Sequence, residues 1–304
     1  AAGERVLGLL ATEPRIQDSP AVRAKLARHA SSAAAAGDRA EDGHEHRIRT
    51  IEFRDVGFSY ESGRTVLAGF NLTVRAGQTI ALVGPSGGGK TTIVSLASRF
   101  YEPTAGSVLI NGVDYRDRSL HWLQSNLGIV LQQPHLFRGY VRENIRYVRL
   151  NSTDAEVEAA ARLANAHEFI SALENGYDTD AGEGGNRLST GQKQLVSFAR
   201  ALLADPQIFI MDEATSSIDT ETEQLIQAAL RTVFRGRISF VIAHRLSTIR
   251  AADLIVVITN GRIEESGTHE TLMRRRGHYH ALYTGQFRHE QEEKVLQEAS
   301  SDSA

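Results

Sequence analysis

Gly84-Pro85-Ser86-Gly87-Gly88-Gly89-Lys90-Thr91-Thr92 constrains the fold more than any other stretch of this chain. The apolar run Thr79–Val83 precedes it and Ile93-Val94-Ser95-Leu96-Ala97 follows. That order reads as strand, glycine loop, helix. The spacing fits G-x-x-x-x-G-K-[ST], the P-loop. Glycines at 84, 87, 88 and 89 permit backbone angles and close approach that side chains would block. The loop N–H groups then line a concave anion site, and the helix N-terminus adds partial positive charge. Lys90 can reach β- and γ-phosphates, and the Thr91 hydroxyl can ligate Mg²⁺. A strand-loop-helix unit of this kind belongs to an α/β fold with a nucleoside triphosphate bound at the strand ends.

The rest of the composition narrows the class. Apolar residues make up 41% and charged residues 23% of 304, which supports a substantial core. A net charge of −3 gives no electrostatic footprint for nucleic acid. Without cysteine there are no disulfides and no thiolate metal sites. No apolar run approaches the ~18 residues of a membrane helix, and Ile238–Ala243 is strand-sized. The chain opens Ala1-Ala2-Gly3-Glu4, without Met, and reads as a piece of a longer protein.

Three segments are expected. Residues 1–49 form a lead-in, with a helix end at Arg5–Leu10 before Pro14 and a flexible Ala-rich linker. Within it, Ser19-Pro20 is an N-cap and first-turn pair for a helix reaching the alanines at 33–36. His44-Glu45-His46 has two potential metal ligands, but a solvated run is the stronger reading because no further ligands lie nearby. Residues 50–287 form the globular domain, with helices concentrated at about 119–204. Residues 288–304 form a frayed tail.

Inside the domain, Ile51–Val56 alternates as a half-buried strand. Thr65–Leu67 and Phe70–Val74 suggest a strand pair. Ser107–Ile110 runs into an Asn111-Gly112 turn. Leu120–Asn126 is a short helix and Leu127–Leu131 a buried strand. Ser152 or Thr153 caps a helix that Ala166–Leu173 continues. Ser189–Ala204 is a further helix, stopped by Asp205-Pro206. Gln207–Met211 and Arg237–Ala243 are strands around a helix at Thr220–Phe234. Leu254–Ile258 and Arg262–Glu265 form a hairpin about Thr259-Asn260-Gly261. Helices at Thr268–Arg275 and Tyr279–Phe287 close the domain, with His278-Tyr279-His280 read as surface.

The P-loop alone fits many nucleotide enzymes. A second requirement is an acidic residue at the end of another buried strand, and Ile208-Phe209-Ile210-Met211-Asp212 supplies it. Asp212 would hold Mg²⁺, and Glu213, next in line, can polarise an attacking water. Leu188-Ser189-Thr190-Gly191-Gln192 opens a helix 21 residues before Glu213. A Ser hydroxyl at a helix N-terminus is a second anion-binding device. One chain has no obvious need of two phosphate cradles, so the economical explanation gives this one to a nucleotide held by another subunit.

Together these motifs resemble the nucleotide-binding domain of an ATP-binding cassette (ABC) transporter, of the exporter group that handles drugs, lipids and peptides. The resemblance covers residues 51–287. Tyr60, in Phe58-Ser59-Tyr60, resembles the aromatic residue that stacks on adenine. Gln132 resembles the glutamine that contacts Mg²⁺ and the attacking water and reports to a transmembrane domain. Gly182–Gly185 resembles the exporter loop before the signature, and Leu188–Gln192 resembles the signature. Ser216-Ser217-Ile218-Asp219 resembles the D-loop, and His244 the switch histidine. Thr190 departs from the family, which usually has Gly there, while Ser189 and Gly191 remain.

The resemblance implies a P-loop NTPase core of α/β class, a small antiparallel β subdomain carrying Tyr60, and a helical subdomain carrying the signature. ATP and Mg²⁺ are the implied cofactors. The implied partners are a second nucleotide-binding domain, identical or different, and a transmembrane domain fused upstream, on the cytoplasmic face of a membrane. Lys90, Glu213 and His244 are the implied catalytic residues. Residues 84–92, Tyr60, Gln132 and 188–192 would bind ATP, and Thr91, Gln132 and Asp212 would bind the metal. A soluble cassette ATPase and an importer ATPase subunit are the alternatives.

Overall fold

The structure is a computed structural model and describes residues 14–30, 42–61, 63–213 and 219–285. In chain order its strands are β1 (Thr50–Ser59), β2 (Thr65–Arg75), β3 (Thr79–Val83), β4 (Ala105–Ile110), β5 (Val113–Asp114) and β6 (Leu127–Val130). They continue with β7 (Ile208–Asp212), β8 (Ile238–Ile242), β9 (Leu254–Thr259) and β10 (Arg262–Gly267). The first helices are α1 (Pro20–Ala30), α2 (Lys90–Ala97), α3 (Leu120–Ser125), α4 (Val141–Arg146) and α5 (Asp154–Leu163). The remainder are α6 (His167–Ser171), α7 (Thr190–Ala204), α8 (Thr220–Phe234), α9 (Leu246–Ala251) and α10 (His269–Arg275).

The central sheet has the order β10-β9-β3-β8-β7-β6. Its strands β9, β3, β8, β7 and β6 are parallel, and β10 closes one edge antiparallel. The register sets Leu82 of β3 between Ile242 of β8 and Val256 of β9. β3 and β8 are buried along their whole length, as expected for strands covered on both faces.

Side-chain alternation divides the core in two. Ala81, Val83, Phe209 and Met211 face a cluster with the helical residues Val157, Leu195, Phe198 and Leu230. Ile80, Leu82, Ile210 and Phe240 face the other way, onto α2 and the antiparallel sheet β2-β1-β4-β5. Each fully buried Phe or Leu at these contacts contributes about 2–3 kcal/mol relative to exposure. The expected α/β class, with an antiparallel β unit and a helical unit, is the observed architecture.

Several boundaries differ from expectation. β2 is one strand of 11 residues and not a pair, with Gly69 at positive φ where the β1–β2 register shifts. β6 pairs only with β7, so it is a half-buried edge strand. Asn165, at φ 56, breaks the chain between α5 and α6, which are separate helices. The helical lobe does not begin at 119. Trp122 and Leu123 of α3 pack with Ile51, Ile208 and Ile238, and β6 belongs to the central sheet. Tyr279 is 1% exposed and its hydroxyl bonds His269, because residues 278–285 form a helix against α10. α4 and α9, six residues each, were too short to show a helical period in the sequence.

The lead-in also differs. α1 starts as expected, with the Ser19 hydroxyl accepting from the Val22 amide. Residues 42–49, expected to be flexible, are held against the domain. The Asp42 carboxylate accepts from the Ser119 amide and lies 3.5 Å from the Arg118 guanidinium, which sits over the Trp122 ring. Trp122 Nε1 donates to His46 Nδ1, so the His44–His46 stretch is docked on the domain while His46 stays exposed. Asp18 accepts from the Leu120 amide, so two lead-in carboxylates meet the start of α3. The expected helix end at 5–10, the alanines at 33–36, Ser216–Ile218 of the D-loop and the tail at 288–304 lie outside the described residues.

Candidate nucleotide site

Parallel pairing places the C-terminal ends of β3, β8, β7 and β6 along one edge of the sheet. The P-loop leaves β3, His244 follows β8, Asp212 and Glu213 end β7, and Gln132 follows β6. This is the edge at which open α/β sheets hold ligands.

The P-loop is braced from below. Gly84 has φ 136, and a Cβ there would lie 2.2 Å from the Ile258 carbonyl oxygen. The Gly261 amide donates to the Gly88 carbonyl at 2.9 Å. Asn260 and Gly261 both have positive φ, the geometry of a two-residue hairpin turn. A Cβ on Gly261 would stand 1.7 Å from the Val66 carbonyl oxygen. The β9–β10 turn is therefore wedged between β2 and the phosphate loop. The sequence showed Gly261 only as a turn residue, because its partners lie far away along the chain.

Lys90 is buried, and its Nζ donates to the carbonyls of Gly84 and Pro85 at 2.8 and 2.9 Å. Burial lowers its pKa, and the nearby Asp212 carboxylate opposes that shift. Burial pushes the Asp212 carboxyl up, against the attraction of His244 and Lys90. His244 is lowered by burial and by Lys90, with Asp212 opposing. Lys90, Asp212 and His244 thus form one electrostatic group at the strand ends.

A cleft of about 350 Å³ opens beside this group, lined by Tyr60, Arg64, Val66, Gly87, Gly89, Lys90, Thr91 and Thr92. The Tyr60 hydroxyl shares a hydrogen bond with Thr92 at 3.0 Å. Its ring meets Phe58 and Tyr101 edge-on, with centroids 4.8 and 5.4 Å away. The cleft therefore has a fixed aromatic wall at one end and cationic, amide and hydroxyl donors at the other. That donor set fits a polyphosphate attached to a flat base. Arg64 was not anticipated; a basic residue in a Gly-containing turn at the end of an aromatic strand was its only signal.

Among the described residues, no group of three or more His, Asp or Glu gathers to hold a metal ion. The Thr91 hydroxyl and Asp212 carboxylate suit a cation whose remaining ligands are phosphate oxygens and water. Gln132 is exposed just beyond β6, at the same sheet edge.

Glu213 is placed differently from its neighbour. It is 1% exposed. Its Oε2 accepts from the His244 and Arg245 amides, each at 3.0 Å, and its Oε1 accepts from the Thr248 hydroxyl at 2.7 Å. Burial raises its pKa, opposed chiefly by the Thr248 hydrogen bond.

Leu188–Gln192 takes no part in the cleft. Ser189 caps α7, with its Oγ accepting from the Gln192 amide at 3.2 Å and Gln192 Oε1 accepting from the Ser189 amide at 3.0 Å. Leu188 and Gly191 are buried, whereas Ser189 and Thr190 are exposed.

The ABC transporter family model matches residues 67–216. An uncharacterised ABC transporter ATP-binding protein of Bacillus subtilis is 54% identical over 238 residues, 78% of this chain and 39% of that protein. An ATP-dependent lipid A-core flippase of Syntrophus aciditrophicus is 52% identical over 254 residues, 84% of this chain and 42% of the flippase. Among solved structures, a bacterial Atm1-family ABC exporter with ATP bound superposes with a TM-score of 0.79 at 39% identity. The match covers 93% of this chain and 46% of the exporter. The chain thus spans less than half the length of each of these three relatives.

Proposed function

The chain belongs to the ABC transporter family as an exporter-type ATP-binding domain, and from that premise we propose how its residues bind and hydrolyse ATP to power movement of a substrate across a membrane. The observation that carries the reading is the coupled group Lys90, Asp212 and His244 at the foot of a cleft walled by Tyr60.

Tyr60 stacks on the adenine, and Arg64 stands at the same cleft. The amides of Gly84 to Thr92 and the Lys90 ammonium hold the phosphates. Holding Lys90 against its own loop carbonyls fixes the charge before phosphate arrives, which limits reorganisation during the reaction. Thr91, Gln132 and Asp212 would hold Mg²⁺, which supplies charge neutralisation on the phosphate oxygens when bound. Glu213 takes the proton of the attacking water, and His244 positions the γ-phosphate. His244, with its pKa held down, is neutral at ordinary pH and can offer a single N–H.

The exposed, self-capped signature completes the ATP site of a second nucleotide-binding domain. Export is favoured over a soluble cassette or an importer subunit by the similarity to a flippase and to an exporter. In the longer protein, a transmembrane domain is the partner through which Gln132 reports. No helix among the described residues is long and apolar enough to cross a membrane. The test is Glu213→Gln, which should abolish phosphate release from ATP and accumulate an ATP-dependent dimer in size-exclusion chromatography. Near-normal release by that variant removes Glu213 from the mechanism.

A further inference from the structure

Glu213 and Asp212 are consecutive at the end of β7, so strand alternation sends their side chains apart. Asp212 joins Lys90 and His244. Glu213 turns to the end of β8 and the first turn of α9, where its three donors lie within residues 244–248. We propose that Thr248 is a positioning residue: with the amides of residues 244 and 245, it latches the Glu213 carboxylate away from the nucleotide site, and turnover requires its release. The proposal rests on the reading of Glu213 as the base.

Two features support a latch over a simple structural contact. The first is which oxygen is held by what. Oε2 takes two backbone amides, which cannot leave without moving the chain, whereas Oε1, among the described residues, takes the Thr248 hydroxyl and the edge of the Arg245 guanidinium at 3.8 Å. Rotation of one threonine side chain frees the oxygen that would accept a proton. The second is electrostatic. The Arg245 guanidinium, 3.8 Å from Oε1, is the cation beside Glu213, whereas the Asp212 carboxylate feels Lys90 and His244. The withheld carboxylate is outside that group.

Arg245 also forms an ion pair with Glu223 on α8. The guanidinium therefore stands between a latched carboxylate and the helix that follows residues 214–219. A shift of α8 changes how firmly Arg245 supports the latch.

The test needs a readout independent of hydrolysis. A water-soluble carbodiimide with an amine probe modifies accessible carboxylates, and peptide mass spectrometry reads the rate at each. In the 304-residue chain without nucleotide, Glu213 should react about tenfold faster in Thr248→Val than in wild type, the factor that one charge-assisted hydrogen bond is worth. Thr248→Ser keeps the hydroxyl and should stay at the wild-type rate. Asp42, buried elsewhere, reports on global folding; if it too becomes reactive, Thr248→Ala carries the same test. Equal Glu213 rates in wild type and the folded hydroxyl-free variant overturn the latch.

Phosphate release at saturating ATP and Mg²⁺ gives the second arm. kcat should rise in Thr248→Val with KM for ATP unchanged, and a kcat that stays level or falls overturns the proposal. If Glu213→Gln keeps turnover, the base assignment fails on its own account, and the labelling still reports whether Glu213 is withheld.

Discussion

The phosphate loop and the signature are both glycine-containing turns that open a helix, yet the molecule treats them in opposite ways. The phosphate loop is gripped by the rest of the fold. Ile258 of β9 and Gly261 of the β9–β10 turn press on it, Lys90 is folded back onto its carbonyls, Asp212 at the end of β7 acts on Lys90, and Lys90 in turn acts on His244 after β8. The signature is anchored through the buried Leu188 and Gly191, while its polar residues Ser189 and Thr190 face outward and Ser189 and Gln192 bond each other in reciprocal capping bonds. A loop that receives its ligand from solvent needs rigid walls made by its own chain. A loop that receives its ligand already mounted on another surface needs to present donors and stay out of the way. The contrast is what the proposed half-site would look like from within one chain.

The largest expected effect comes from breaking the grip on the phosphate loop. Gly261→Ala places a Cβ 1.7 Å from the Val66 carbonyl oxygen in a backbone at φ 73. The turn must shift, and the expected cost is roughly 3 kcal/mol of stability, read from the urea midpoint. ATP affinity should fall with it, because the same turn holds Gly88. Gly112→Ala is the matched control, with φ 79 but open space around the added carbon. It should lose only about 1 kcal/mol, the strain of the backbone alone. Equal losses at the two glycines would show that the wedge between β2 and the phosphate loop adds nothing.

A smaller effect is expected at the aromatic wall. Tyr60→Ala removes a ring whose stacking on a base is worth about 1–3 kcal/mol, so ATP affinity should drop by roughly tenfold or more, measured by titration calorimetry. Tyr60→Phe keeps the ring and loses only the hydroxyl bonded to Thr92, and should bind ATP nearly as wild type does. An unchanged affinity in the alanine variant refutes stacking.

The two regions also differ in how far the sequence announced them. The P-loop and Asp212 were legible because each is a local pattern, a turn spacing or a polar residue closing a run of buried ones, whereas His244 was marked only by the family resemblance. The capped start of α7 was legible too, since Ser189 and Gln192 are three residues apart. Gly261 and Thr248 were not, because each acts on a residue in another element, and Arg64 was not, because the cleft it lines is assembled only by the fold. That Glu213 points differently from Asp212 follows from their adjacency; its partners were hidden, because those hydrogen bonds depend on how β7 lies beside β8. The docking of residues 42–49 was missed because a charged, glycine-containing segment has the composition of a linker, and its anchor is a buried Asp42–Arg118 pair formed across a large sequence distance.

Ser189→Ala gives the smallest effect on the single chain and bears most directly on the contrast. Losing the cap leaves the Gln192 amide without its partner, which costs about 1 kcal/mol of stability. ATP affinity of the dilute chain should not change, because Ser189 lies outside the cleft that Tyr60 and Lys90 line. On the proposed function turnover should nonetheless fall, since the lost hydroxyl would face the nucleotide of a second domain. That fall should be rescued by mixing with a chain that carries Lys90→Ala but an intact signature: such a chain binds no ATP of its own, yet can close over the site of the Ser189→Ala chain. If mixing restores no phosphate release while each variant remains folded, the signature does not act across the dimer, and the difference between the two loops is one of local architecture alone.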